Sequence, residues 1–201
     1  MLRIAVLASG GGTNLQALLD AEANGALRSG KITLVVSNRA DAYALSRARA
    51  AGVETAVVKK GRDESPAAYG QRLLAILRAA GIGMIVLTGF LLILDDCVIR
   101  AYERRILNIH PSLIPAFCGK GFYGLKVHEA ALDRGVKVTG ATVHLVNGIP
   151  DGGPILAQRA VEVLDGDTPE TLQRRVMERA EWVLLPRETE RWARKLTEEA
   201  M

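Results

Sequence analysis

The chain has 201 residues, 49% of them hydrophobic and 24% charged, with a formal net charge of +4; that length and balance fit one globular domain with a real core. Aromatic residues make up only 4%, too few for a base-stacking platform on single-stranded nucleic acid. The charges are interspersed, which describes a mixed solvated surface with a mild basic bias that suits an anionic small molecule.

In chain order, the continuous apolar run Arg3–Ala8 predicts a buried strand, followed by the turn Ser9-Gly-Gly-Gly-Thr13. A helix from about Asn14 places Leu15, Leu18 and Leu19 on one face. Ile32–Val36 is the next strand, Tyr43–Ala51 a helix, Val53–Val58 a third strand, and a helix from about Ala67 carries Leu73, Leu74 and Leu77. Met84–Leu87 is a fourth strand. It lies in the longest apolar stretch, Ile82–Leu94, which Gly83, Thr88 and Gly89 interrupt and which is too short to cross a bilayer. Near-continuous apolar strands alternating with helices indicate a parallel sheet covered on both faces.

The second half has a different pattern. Arg105–Ile109 is a short strand closed by Pro111, and a glycine-rich loop, Phe117–Gly124, follows. Lys137–Val146 and Pro154–Val163 read as an antiparallel pair joined by Asn147–Gly153, and Thr168-Pro169-Glu170 opens a helix. The fold expected is α/β and Rossmann-like: a mostly parallel twisted sheet, helices on both faces, and an antiparallel strand pair in the C-terminal half. A single domain over 1–201 is expected.

Two cysteines, Cys97 and Cys118, lie outside any CxxC pattern, so reduced thiols in a cytoplasmic protein are expected. Met1-Leu2-Arg3 runs directly into the first strand, so no signal peptide is expected. His110, His128 and His144 show no ligand spacing, and no metal is expected.

The loop Ser9–Asn14 sits between a buried strand and a helix N-terminus, where glycines let backbone N–H groups approach an anion. It lacks the Gly-Lys-Ser/Thr of a nucleoside-triphosphate loop. It also misses GxGxxG at Leu15, and Ser37-Asn38-Arg39 offers no acid for a dinucleotide ribose. A single phosphate therefore fits this loop better than NAD does.

Asn108 and His110 share one face of their strand by period-2 alternation, and Asp151 lies on the Asp-Gly-Gly-Pro turn. An amide N–H and a protonated imidazole can donate to a carbonyl oxygen becoming tetrahedral. A nearby carboxylate is expected to raise the imidazole pKa and relay a proton from an attacking amine. No Ser or Cys is paired with a base, so a covalent acyl-enzyme is not suggested.

Five motifs occur in order: Ser9-Gly-Gly-Gly-Thr-Asn-Leu-Gln16, Leu87-Thr-Gly-Phe90, Asn108-Ile-His-Pro-Ser-Leu113, Val138-Thr-Gly-Ala-Thr-Val-His144 and Asp151-Gly-Gly-Pro-Ile155. Together, over about Arg3 to Pro186, the chain resembles the phosphoribosylglycinamide formyltransferases, folate-dependent enzymes of purine biosynthesis. The resemblance implies direct transfer of the formyl group of N10-formyltetrahydrofolate to the amine of glycinamide ribonucleotide, without metal. It implies small-molecule substrates, no nucleic-acid or membrane partner, and a monomer or homodimer. It assigns catalysis to Asn108, His110 and Asp151 and the substrate phosphate to Gly11, Gly12, Thr13 and Asn14. The folate is assigned to Leu91, Leu92, Ile93, Leu94, Val98, Asn147 and Asp151, with Thr142, His144 and Glu181 in support. The expected domain then has residues 1–100 as a phosphate-binding half and 101–201 as a catalytic and folate-binding half.

The chain departs from the family pattern in three places. Leu92 stands where the family often has Arg, Trp182 follows Glu181 where a His is common, and Asn147 fills a variable position and is read as backbone support. Two relatives with related chemistry, methionyl-tRNA formyltransferase and formyltetrahydrofolate deformylase, carry an extra C-terminal or N-terminal domain for which this chain is expected to have no room.

Overall fold

The computed structural model describes residues 1–200. Its first half follows the predicted alternation. Strand β1 (Leu2–Leu7) leads to helix α1 (Thr13–Ala23), β2 (Gly30–Ser37) to α2 (Tyr43–Ala50), β3 (Glu54–Val57) to α3 (Pro66–Ala79), and β4 (Met84–Leu87) to the short α4 (Asp96–Ala101). Strand β5 (Ile106–His110) is followed by α5 (Leu125–Asp133), and β6 (Val138–Leu145) and β7 (Ile155–Glu162) come next. The chain ends in α6 (Pro169–Val176), a π-helical turn at Met177–Glu181, and α7 (Trp182–Glu198).

The seven strands form one sheet in the order β3-β2-β1-β4-β5-β6-β7. The first five are parallel, and β6 pairs antiparallel with both β5 and β7. The expected class is therefore what folds, with one addition: the antiparallel part includes β5. Its register sets Asn108 opposite His144 and His110 opposite Thr142. Paired residues on neighbouring strands share a face and lie within about 5.5 Å, so four polar side chains converge on one side of the sheet.

Both faces are covered by apolar cores. One gathers Ile4, Val6, Val35, Val86 and Val143 beneath α1, α2 and the C-terminal helices. The other gathers Leu7, Val36, Ile85 and Leu87 beneath α3 and α4. Alternating side chains along a doubly covered strand explain why these strands read as unbroken apolar runs.

The helix starts have local causes. The Ser65 side chain accepts from Ala68 N at 3.1 Å with Pro66 in the first turn. Thr168 and Thr171 cap each other at the start of α6. Helix α4 escapes the sequence reading because six residues are too few to show a helical period; Asp95 caps it by accepting from Cys97 N at 2.9 Å. Helix α5 was likewise not read from sequence, being masked by the glycine-rich loop before it. Among the described residues no helix is long and apolar enough to cross a membrane.

Candidate functional site

The order of the sheet reverses at β1 and β4, and in open parallel sheets ligands bind beyond the strand ends at such a point. Ser9, just past β1, ties these ends together. Its hydroxyl donates to Asn38 Oδ1 at 2.6 Å and accepts from Leu91 N at 2.9 Å, while its amide donates to Gly89 O at 3.2 Å. The sequence reading passed over Ser9 as the first residue of the turn, although a serine set between an apolar strand and three glycines was the available sign.

The glycine loop curls tightly into α1. Gly12 has φ 72°, and a Cβ there would stand 2.7 Å from Ala44 Cβ, so glycine is required for both conformation and clearance. From the first turn of α1, Asn14 Nδ2 donates to Glu181 Oε2 at 2.5 Å and Thr13 Oγ1 donates to Met177 Sδ at 3.7 Å. Both partners lie on the π-helical turn, a form that recurs at functional sites. Glu181 is thus brought against the glycine loop. Burial pushes its carboxyl up to about 7, partly offset by the bond from Asn14.

Asn108, His110, His144 and Asp151 form the second cluster. The Asn108 amide nitrogen lies 3.0 Å from His144 Nε2 and donates to Asp151 Oδ1 at 3.3 Å. His144 Nδ1 is 2.9 Å from Leu145 O, where the nitrogen donates, and its Nε2 also lies 3.4 Å from Asp151 Oδ1. His110 is 4% exposed, with Nε2 at 2.8 Å from Phe117 O and Nδ1 at 3.5 Å from Asp151 Oδ2.

Asp151 has φ 54°, a left-handed turn that Asp tolerates better than most residues. Gly153, two residues on, has no room for a Cβ against Leu145 O, where the turn feeds into β7. Asn147 closes the same turn, accepting from Ile149 N at 2.9 Å and donating to Gly152 O at 3.2 Å. The glycine-rich loop after Pro111 completes the cluster, since Gly119 N donates to Asp151 Oδ2 at 2.9 Å.

The electrostatics differ from expectation at one residue. The carboxylate was expected to raise His110, and it does act in that direction, but burial outweighs it and leaves the imidazole below its ordinary value. Burial pushes Asp151 up, yet the hydrogen bond from His144, nearby His110 and the Gly119 amide more than reverse this and hold it below the usual carboxylate range. Both values are lowered, for different reasons: burial keeps His110 from taking up a charge, whereas hydrogen bonds and nearby imidazoles keep Asp151 charged. An ionised Asp151 beside a neutral His110 is the resting pair: the carboxylate keeps its bonds from Gly119 and Asn108 whichever form the ring takes.

A cleft of about 130 Å³ opens beside this cluster, lined by Leu92, Ile93, Leu94, Asn108, His144, Asn147 and Asp151 among others. Phe90, Val146 and Ile149, which the sequence reading did not name, also line it. Two residues assigned to it by resemblance are not among those lining it, although their neighbours Leu92 and Ile99 are. Val98 is fully buried in the core under α4, and Leu91 is half exposed outside the lining. Thr142 stands apart from the cleft and fixes the loop after His110, donating to Ser112 O at 2.6 Å and accepting from Ile114 N at 3.1 Å.

A larger groove of about 450 Å³ runs between α1, α2 and α7 and meets the glycine loop at Thr13, away from Asn108. Cys118 donates to Pro115 O at 3.3 Å, and burial with the charge of Asp151 pushes its thiol up, which makes it a poor nucleophile. Among the described residues no group of three His, Cys, Asp or Glu is placed to hold a metal ion.

The family profile described as formyl transferase matches residues 2–188. The chain is 40% identical over 176 residues to a chloroplastic phosphoribosylglycinamide formyltransferase of Arabidopsis thaliana, covering 87% of this chain and 60% of that one. It is 38% identical over 175 residues to phosphoribosylglycinamide formyltransferase of Escherichia coli (strain K12), covering 87% and 80%. The structure of glycinamide ribonucleotide transformylase 1 from Symbiobacterium toebii superposes with a TM-score of 0.90 at 43% identity, covering 97% of this chain and 89% of that one. The chain thus spans less than two thirds of the plant relative's length and most of the two bacterial ones.

Proposed function

Because the chain belongs to the formyl transferase family, we propose that it transfers the formyl group of N10-formyltetrahydrofolate to the amine of 5'-phosphoribosylglycinamide in purine biosynthesis, in the cytoplasm. One observation carries this reading: the Asn108 amide and the Asp151 carboxylate meet on the wall of an apolar cleft, with His110 Nδ1 buried behind them at 3.5 Å from Asp151 Oδ2. The cleft fits a flat pterin by the chemistry of its wall, with Leu92, Ile93 and Leu94 for apolar contact and loop backbone for the ring's polar edge. Residues 1–100 supply the phosphate subsite at Gly11, Gly12, Thr13 and Asn14, and the rest of the chain supplies catalysis within one formyltransferase domain.

The acceptor amine attacks the formyl carbon, and the oxygen that gains charge takes a hydrogen bond from Asn108 in place of its long bond to Asp151. Neutral His110 accepts the proton shed by the amine at Nδ1, because Nε2 is committed to Phe117 O. The imidazolium so formed lies beside Asp151, which stabilises it until the proton passes to N10 as the C–N10 bond breaks. A carbon–nitrogen bond is exchanged for another, one proton moves, and no metal or covalent enzyme intermediate takes part.

The test is tetrahydrofolate release with and without glycinamide ribonucleotide. Release that depends on the acceptor is the expected result. Release without it would make the chain a hydrolase, and formyl transfer to aminoacylated tRNA instead would replace the acceptor.

A further inference from the structure

Three successive carbonyls of the glycine loop are turned away from the space in front of it. Gly10 O accepts from Ala44 N at 3.1 Å, Gly11 O from Arg47 Nε at 2.9 Å, and Gly12 O from Gln16 N at 2.9 Å. In a trans peptide the C=O of one residue and the N–H of the next point in opposite directions. Each carbonyl held outward therefore aims the following amide, of Gly11, Gly12 or Thr13, inward. These three amides donate to no acceptor among the described residues.

Two of the three holds are backbone bonds, and the middle one depends on a single side chain. Arg47 is itself fixed: its Nη1 donates to Gln16 Oε1 at 3.0 Å, Gln16 Nε2 donates to Asp20 Oδ1 at 2.9 Å, and the guanidinium lies 5.0 Å over the Tyr43 ring. It lines the groove that reaches Thr13. With Nη1 held by Gln16, the planar guanidinium presents Nε to Gly11 O in a defined direction, which a lysine ammonium does less well.

We infer that Arg47 is a positioning residue for acceptor specificity: it pins Gly11 C=O outward so that the Gly12 amide meets the phosphate of the acceptor. The inference rests on the reading above that the acceptor's phosphate sits at this loop. Arg47 touches neither the formyl group nor the attacking amine, so its effect belongs to discrimination and not to the chemical step.

The experiment compares kcat/KM for glycinamide ribonucleotide with that for its dephosphorylated nucleoside, in wild type, Arg47→Met and Arg47→Lys. The ratio is expected to fall about tenfold in Arg47→Met, the usual effect of losing one charge-assisted hydrogen bond, and to recover partly in Arg47→Lys. A ratio within twofold of wild type in Arg47→Met, or an equal loss on both acceptors, overturns the role of Arg47. A wild-type enzyme that does not prefer the phosphorylated acceptor overturns the phosphate-loop reading itself. Inorganic phosphate, used as a competitor against the ribonucleotide, should inhibit Arg47→Met more weakly than wild type.

Discussion

Asn14 and Glu181, 167 residues apart in sequence, meet at 2.5 Å, and this bond joins the first turn of α1 to the π-helical turn before α7. It places an uncharged-to-charged transition of a buried carboxyl beside the glycine loop, near neutral pH.

That transition has a sign. Folded Glu181 keeps its proton up to about 7, whereas the unfolded chain releases it near 4.5. Wild type should therefore lose stability relative to Glu181→Gln as pH rises through that window, by at most about 3 kcal/mol. Denaturant unfolding of both proteins at pH 5 and pH 8 checks this; a gap that does not change with pH would contradict it.

Asn108→Ala and His110→Ala should each lower kcat by roughly 10²–10³ while leaving the fold intact, the usual cost of removing a donor or proton carrier aimed at the transition state. Steady-state tetrahydrofolate release with circular dichroism decides the matter. Near-wild-type turnover in both variants would remove this cluster from the mechanism.

His110 should titrate below the ordinary imidazole value of 6.5, because burial dominates. Asp151→Asn removes the carboxylate that opposes burial, so the pKa should fall further. Ring-proton NMR titration reads both values, and an upward shift in Asp151→Asn would show that the carboxylate is not the group supporting the imidazolium.

His128, on α5, is fully buried with neither ring nitrogen hydrogen-bonded, and burial pushes it down to about 4. The unfolded chain takes up this proton near 6.5, so stability should decline as pH falls toward 4, by at most about 3 kcal/mol. His128→Phe should flatten that part of the stability profile. An unchanged acid limb would mean that the ring is not held neutral.

Gly12→Ala puts a Cβ 2.7 Å from Ala44 Cβ at a φ of 72°. A loss of about 1–3 kcal/mol in stability and a raised KM for the phosphorylated acceptor are expected, both measurable on one purified variant. A KM equal to wild type would separate this loop from acceptor binding.

The sequence by itself determined most of the architecture, because strands buried on both faces must be apolar throughout and the helices between them must show a 3.6-residue period. It also placed Asn108 and His110 on one face, since a strand alternates with a period of two, and it marked the glycine loop by composition. Short helices such as α4 and the masked α5 left too little pattern to read. Only the tertiary structure decided that His144 and Thr142 stand opposite Asn108 and His110, because antiparallel register depends on pairing between distant segments. It placed Val98 in the core on α4, since an apolar residue looks the same in sequence whether it faces a ligand or a core. It left His110 neutral at rest beside Asp151, because the balance between desolvation and a charge 3.5 Å away is set by burial, and burial belongs to the folded chain alone.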